Sequence, residues 1–135
     1  MPSVLVAQQE IQIGCAFTVE GDSPSAPCRA VFEDDGQTGY FYAVDTSVEE
    51  NPIQDAVLVY NVADVEDRGV PSTLQIVWSA DGQKVVLLLN EYPLAAFDFS
   101  AARGYSRTGF PPVMPGDAWE RRSGDWDDEV NDFFA

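Results

Sequence analysis

Hydrophobic and polar positions alternate along much of the chain up to Phe99, and a period of two marks strands with one buried face. Ile11, Ile13, Cys15, Phe17 and Val19 alternate with Gln12, Gly14, Ala16, Thr18 and Glu20, which predicts one strand over this stretch. Before it, Val4-Leu5-Val6 fits a short strand or an arm lying over a sheet edge. The GDSPSAP segment after it is a loop by composition. Val31–Asp45 then reads as a hairpin with a charged tip. Ala30 and Phe32 share one face of its first arm. Tyr40, Tyr42 and Val44 share a face of the second, with Phe41 and Ala43 opposite. Asp34-Asp35-Gly36-Gln37 makes the turn, where Gly36 can take a positive φ. Gly39 within the second arm suggests a bulge or a close backbone approach.

The run DAVLVYNV (Asp55–Val62) is apolar at nearly every position, the mark of a central strand covered on both faces. Ala63–Ser72 is an acidic connector. Leu74, Ile76 and Trp78 alternate again, and Asp81-Gly82 is the strongest short hairpin signal in the chain. Val85–Leu89 returns, Asn90–Pro93 turns the chain, and Leu94–Phe99 reads as one more strand. Ala101–Gly116 has little periodicity and reads as a long loop, followed by a helical turn at Asp117–Trp119. In Gly124–Phe134, Trp126, Val130, Phe133 and Phe134 form one helical stripe, with Asp125 placed as an N-cap. The sum predicts an α+β, mostly β fold: a curled or barrel-like antiparallel sheet of about six or seven strands with a short C-terminal helix. The length, 135 residues, suits a single domain over 1–135.

Charge changes the picture more than any other bulk property. Twenty-three acidic residues face seven basic ones, a formal net charge of −16. Such a field repels nucleic acid and anionic lipid and steers basic partners or cations inward. At 45% hydrophobic, the chain has the makings of a globular core. No apolar run approaches a membrane span, and Met1-Pro2-Ser3-Val4 lacks the basic start of a secretory signal. The expectation is a soluble cytoplasmic protein, monomeric or weakly dimeric. The chain has no histidine, which excludes histidine triads, Cys–His dyads and histidine metal sites. Cys15 and Cys28 are expected to be buried free thiols.

The segments FEDDGQTGYFYA (Phe32–Ala43), WSADGQKVVLLLNEYP (Trp78–Pro93), AAFDF (Ala95–Phe99) and RGYSRTGFPP (Arg103–Pro112), in this order, resemble a family of small bacterial proteins, domain-of-unknown-function family 2251. The combination is specific, whereas each piece alone is weak. The resemblance implies a bacterial, single-domain, mostly cytosolic protein and supplies no catalytic residues. The first thirty residues and the acidic C-terminus lie outside the matched pieces.

Three constellations could carry function. Glu33, Asp34 and Asp35 form an acidic tip with Asp45 behind it, and Tyr40 and Tyr42 stand beside it as candidate anchors. Carboxylates there could take Ca²⁺ or Mg²⁺, but the spacing is not that of a calcium loop, and Asp and Gly are the ordinary residues of such a turn. Arg103 and Arg107 would point the same way in an extended segment and could grip a carboxylate, or pair with the chain's own acids such as Asp98. Asp125, Asp127, Asp128, Glu129 and Asp132 form a third, acidic cluster, readable as a capped and solvated helix face or as a surface for a basic partner. No cofactor motif is present, and no acid pair stands out for catalysis. The reading that results is a non-catalytic acidic protein that masks or neutralises a basic protein partner, as immunity proteins do. Its partner-binding residues would be Glu33, Asp34, Asp35, Tyr40, Tyr42, Arg103 and Arg107. The alternative is a small carboxylate-dependent enzyme or a divalent-metal-binding protein.

Overall fold

The computed structural model describes residues 4–24, 27–50, 52–66 and 69–108, with the backbone of 121–123. Over these residues the chain forms β1 (Val4–Ile11), β2 (Phe17–Asp22), β3 (Cys28–Asp34), β4 (Thr38–Asp45) and β5 (Ile53–Asn61). A single 3-10 turn at Val62–Asp64 follows. Then come β6 (Ser72–Trp78), β7 (Lys84–Leu89), β8 (Tyr92–Asp98), β9 (Arg103–Ser106) and β10 (Arg121–Ser123). Five strands make an antiparallel sheet in the order β1-β6-β7-β8-β9, to which short β10 adds in parallel beside β9. The other four make an antiparallel sheet, β2-β3-β4-β5.

The two sheets pack face to face. Phe32, Phe41, Ala43 and Val57 from the four-stranded sheet meet Leu74, Ile76, Trp78, Val85, Leu87 and Phe97 from the other. Phe41 and Phe97 stack across the interface at 5.0 Å between centroids. Trp78 Nε1 donates to the Gly21 carbonyl at 3.1 Å, which satisfies its one buried polar atom and ties β2 to β6. On the opposite rim, the hydroxyls of Ser106 and Thr108 both donate to the Leu58 carbonyl at 2.7 Å. Both rims are thus bridged by side-chain hydrogen bonds to backbone carbonyls, without a strand ladder that would close a barrel.

The β3–β4 hairpin forms as the alternation predicts. Phe32 and Phe41 are register partners, both fully buried, and Tyr40 and Tyr42 lie on the outer face. Gly39 marks both a bulge and a close approach. The register between β4 and β5 shifts there, and a Cβ on Gly39 would come within 2.7 Å of the Tyr60 ring. The turns at Asp81-Gly82 and Asn90-Glu91 also fall where expected.

Four expectations need correction. The sheet is not one curled or barrel-like unit of six or seven strands but two sheets, with ten strands among the described residues. The single strand expected from Ile11 to Val19 is two strands. Gly14 and Ala16, both at positive φ, turn the chain between them, while Ile11 and Ile13 stay buried. Asp55–Val62 does not run through the middle of a sheet. Its strand, β5, is the last of four, and its apolar run comes from the bulge, which lets Val57, Val59 and Tyr60 all face the core. The strand covered on both faces is β7, where Val85 and Leu87 enter one cluster and Val86 and Leu88 another. The loop expected from Ala101 onward contains β9, whose four residues are too few to show a period. The helical turn at Asp117–Trp119 and the helix at Gly124–Phe134 lie outside the described residues. Among the described helices none is long and apolar enough to cross a membrane.

Candidate functional site

The tip of the β3–β4 hairpin holds two neighbouring carboxylates with opposite roles. Alternation sends Asp34 inward with Phe32 and Ala30, and it is only 1% exposed. Its Oδ2 accepts from the Gly14 amide at 2.7 Å and from the Tyr60 hydroxyl at 2.6 Å, and its Oδ1 accepts from the Gly36 amide at 2.8 Å. Three segments thereby converge on one buried charge, which fully engaged partners make tolerable. Gly14 suits this place because φ is +91° and a Cβ would lie 3.0 Å from Val62. Burial first, then the hydrogen bond and charge of Asp34, push the Tyr60 hydroxyl well above the usual tyrosine range, so it remains a donor. Asp34 was expected on an exposed acidic tip; it is instead a structural carboxylate closed to a partner.

Asp35 points to solvent. Its Oδ1 accepts from the Thr38 amide at 2.8 Å and the Gln37 amide at 2.9 Å, an arrangement that shapes the turn. Those two backbone bonds, Thr38 first, hold its carboxyl below the ordinary range. Glu33 is also exposed, on the outer face of the four-stranded sheet.

The register of that sheet assembles the outer face row by row. Thr18, Glu33, Tyr40 and Leu58 lie across one row; Glu20, Val31, Tyr42 and Ala56 across the next. Tyr40 and Tyr42 stack on one another at 6.2 Å, their planes 25° apart. Tyr42 Oη stands 3.3 Å from Glu33 Oε1, long for a hydroxyl bond. Burial, followed by the Glu33 charge, raises the Tyr42 hydroxyl. The centre of the face is half-buried Val31, Tyr40, Tyr42 and Ala56; the rim carries exposed Glu20, Glu33 and Asp35. Arg29 and Asp22 pair at one end, Nε to Oδ1 at 2.5 Å.

Arg103 and Arg107 belong to the other sheet and its margin, and each lies over a different tyrosine. Arg103 sits 5.0 Å from the Tyr105 centroid, and the Oδ1 of its register partner Asp98 accepts from the Ser100 amide and hydroxyl and from the Ala101 amide. Arg107 sits 4.3 Å from the Tyr92 centroid, and its Nε donates to the Pro93 carbonyl at 2.6 Å. Cys28 is buried as expected, and burial first, then Asp45, raises its thiol; Cys15 is exposed, a correction that follows from the turn at Gly14–Ala16. Among the described residues, no group of three acidic or sulfur side chains is placed to hold a metal ion. The acidic cluster from Asp125 to Asp132 lies outside the described residues.

Residues 11–135 match the family described as "Uncharacterized protein conserved in bacteria (DUF2251)". The chain belongs to this family. The match extends the DUF2251 resemblance beyond the segments from Phe32 to Pro112, in both directions. A Haemophilus influenzae relative, described as "Uncharacterized protein", is 41% identical over 91 residues, covering 67% of this chain and 56% of that protein. The chain thus aligns with little more than half the length of this relative. No solved structure matches the chain.

Sequence reasoning alone missed the Asp34–Tyr60–Gly14 convergence and the inclusion of Glu20 and Val31 in the tyrosine face. The second had a signal, since Val31 and Glu33 alternate with Ala30 and Phe32. The first had none, because the partners of Asp34 are 20 and 26 residues away.

Proposed function

We propose that this protein is a non-catalytic binding protein that masks a basic protein partner, in the manner of immunity proteins, and that the outer face of the four-stranded sheet is the docking surface. The observation that carries this reading is the stacked Tyr40–Tyr42 pair at the centre of a half-buried face rimmed by Glu20, Glu33 and Asp35. Aromatic anchors within a polar rim are the usual anatomy of a protein interface. The rim here is acidic, and the net charge of −16 would draw a basic partner toward it. Glu33, Asp35, Tyr40 and Tyr42 keep their roles in this proposal, whereas Asp34 acts by holding the tip in shape. Arg103 and Arg107 brace their own sheet against Tyr105 and Tyr92. The protein would act in the cytoplasm.

The test is affinity capture from the bacterial host at low salt, comparing the wild-type chain with Tyr42→Ala and with Glu33→Lys. The expected result is a basic protein that is retained by the wild type, released as salt rises, and reduced on both variants. Retention of the same protein by all three chains would place its binding elsewhere, and no basic protein on the wild type would remove the reading.

A further inference from the structure

We infer that the basic partner engages this protein through an extended segment, which adds to the free edge of β2 as a further strand of the tyrosine-bearing sheet; this rests on the proposed masking of a basic protein. The phase of the ladder decides which residues meet that segment. The Ser23 amide donates to the Cys28 carbonyl at 3.0 Å, continuing the register that pairs Asp22 with Arg29 and Gly21 with Ala30. Bonded pairs recur at every second residue of an antiparallel ladder. Phe17, Val19 and Gly21 therefore turn their amides and carbonyls toward β3, and Thr18, Glu20 and Asp22 turn theirs outward. The Asp35 amide, which donates to the Thr38 carbonyl at 3.1 Å, sets β3 and β4 on the alternate phase that this requires. Thr18, Glu20 and Asp22 are all exposed, and among the described residues no strand pairs with them on that side.

The other strand edges are treated differently. β1 carries a bulge between Leu5 and Ala7, and β9 is covered by the short β10. On β5 the Leu58 carbonyl is taken by the hydroxyls of Ser106 and Thr108. Bulges, covers and short edge strands are the usual defences against strand addition. β2 has a regular register from Phe17 to Asp22 and carries acids instead. That defence is selective. A second copy laid antiparallel along β2 would bring carboxylates against carboxylates, which is unfavourable across a strand pair, whereas Lys or Arg is favoured there. Asp22 is held by Arg29, which leaves Glu20 as the carboxylate for an incoming cation. Glu20 shares its row with Val31 and Tyr42, so the added strand would widen the tyrosine face. On the inner side the edge is flanked by half-buried Phe17 and Val6, and Val6 lies within 2.9 Å of a Cβ placed on Gly21. A segment in which basic and apolar residues alternate satisfies both sides.

The test is an NMR titration of the full chain at low salt with a blocked peptide of four Lys-Val repeats, and with the same peptide N-methylated on the backbone of every lysine. The two carry equal charge, but the methylated lysines cannot donate to β2. Saturable shifts of the Thr18, Glu20 and Asp22 amides are expected with the first peptide, and about tenfold weaker binding with the second, the scale of one lost hydrogen bond. Thr18→Pro deletes an outward N–H while keeping the net charge and the ladder to β3, and should weaken the first peptide to a similar degree. The inference is overturned if the first peptide gives no saturable shift, or if the two peptides bind alike, for then charge alone is being read. It is equally overturned if folded Thr18→Pro binds as the wild type does; should that variant fail to fold, the peptide pair decides on the intact chain. A captured host protein that is lost from Tyr42→Ala yet fully retained by Thr18→Pro would uphold the open face and remove strand addition alone.

Discussion

The two sheets carry outer faces of opposite character. On the five-stranded sheet, Val77, Val86, Ala96 and Tyr105 run as one row across four strands, and with Leu88 they form a buried cluster. On the four-stranded sheet, Val31, Tyr40 and Tyr42 stay half-exposed within a rim of carboxylates. Both faces are built by the same alternation, so the pattern alone cannot tell them apart. The difference lies in the neighbours. On one side the middle strand, β7, is apolar at every adjacent position from Val85 to Leu89. On the other the outward positions mix tyrosine with glutamate. A β-strand that is apolar on both faces has to be covered; one that mixes aromatic and acidic groups can remain open to water and to a partner.

The sharpest way to break this comparison is to truncate one tyrosine on each face. Tyr105→Ala should destabilise the protein by about 3–5 kcal/mol, the usual range for removing a large buried ring. Tyr42→Ala, half-exposed, should cost about 1 kcal/mol, as expected for a partly buried surface position. Urea unfolding followed by tryptophan fluorescence measures both, and equal losses would erase the distinction between the faces.

The hairpin tip allows the same contrast within two adjacent residues. Asp34→Ala removes three accepted bonds and strands the Tyr60 hydroxyl, so a loss of about 3 kcal/mol is expected. Asp35→Ala should lower the melting temperature far less, since its carboxylate is in solvent and the two turn amides it accepts from can bond to water instead. Charge reversal at Asp35 therefore tests binding, while any change at Asp34 tests the fold.

Tyr60 gives the Asp34 network a signature in pH. Its folded value is raised, so the folded state holds the proton more tightly than the unfolded chain does. The associated stability is fully present below the ordinary tyrosine value of about 10 and is lost as pH rises beyond it. Denaturation midpoints measured from pH 8 to pH 11 (about one unit beyond the ordinary value) should fall at the alkaline end. Tyr60→Phe, less stable at neutral pH, should fall less steeply.

One substitution should instead bring a gain. Glu91→Gly removes a non-glycine residue from the left-handed region and should raise stability by about 1 kcal/mol. A thermal melt is sufficient to see it.

Most strands of this fold can be read from the sequence because their alternation is local. Phe32, Phe41, Leu74, Ile76 and Trp78 declare themselves, and Asp81-Gly82 announces its turn. The failures occur where a long-range contact overrides the pattern. The alternation from Ile11 to Val19 persists through a turn that is shaped around Gly14, and Gly14 is held by a carboxylate on another strand. The run Val57–Tyr60 looks like a central strand because a bulge opposite Gly39 turns successive residues the same way. Asp34 and Asp35 are chemically identical and adjacent, and only the strand phase separates them. At the candidate site, Tyr40 and Tyr42 were legible as neighbours on one face, with Glu33 near them at the tip; the strand register then placed Glu33 and Glu20 on that face.

The most direct test of the open face is a binding isotherm against the basic host protein recovered by capture, measured at low and at physiological salt. The expected result is affinity that falls with salt, falls further with Glu33→Lys, and is unaffected by Arg107→Ala on the other sheet. A partner whose binding ignores both salt and Glu33→Lys would contradict the assignment of this face.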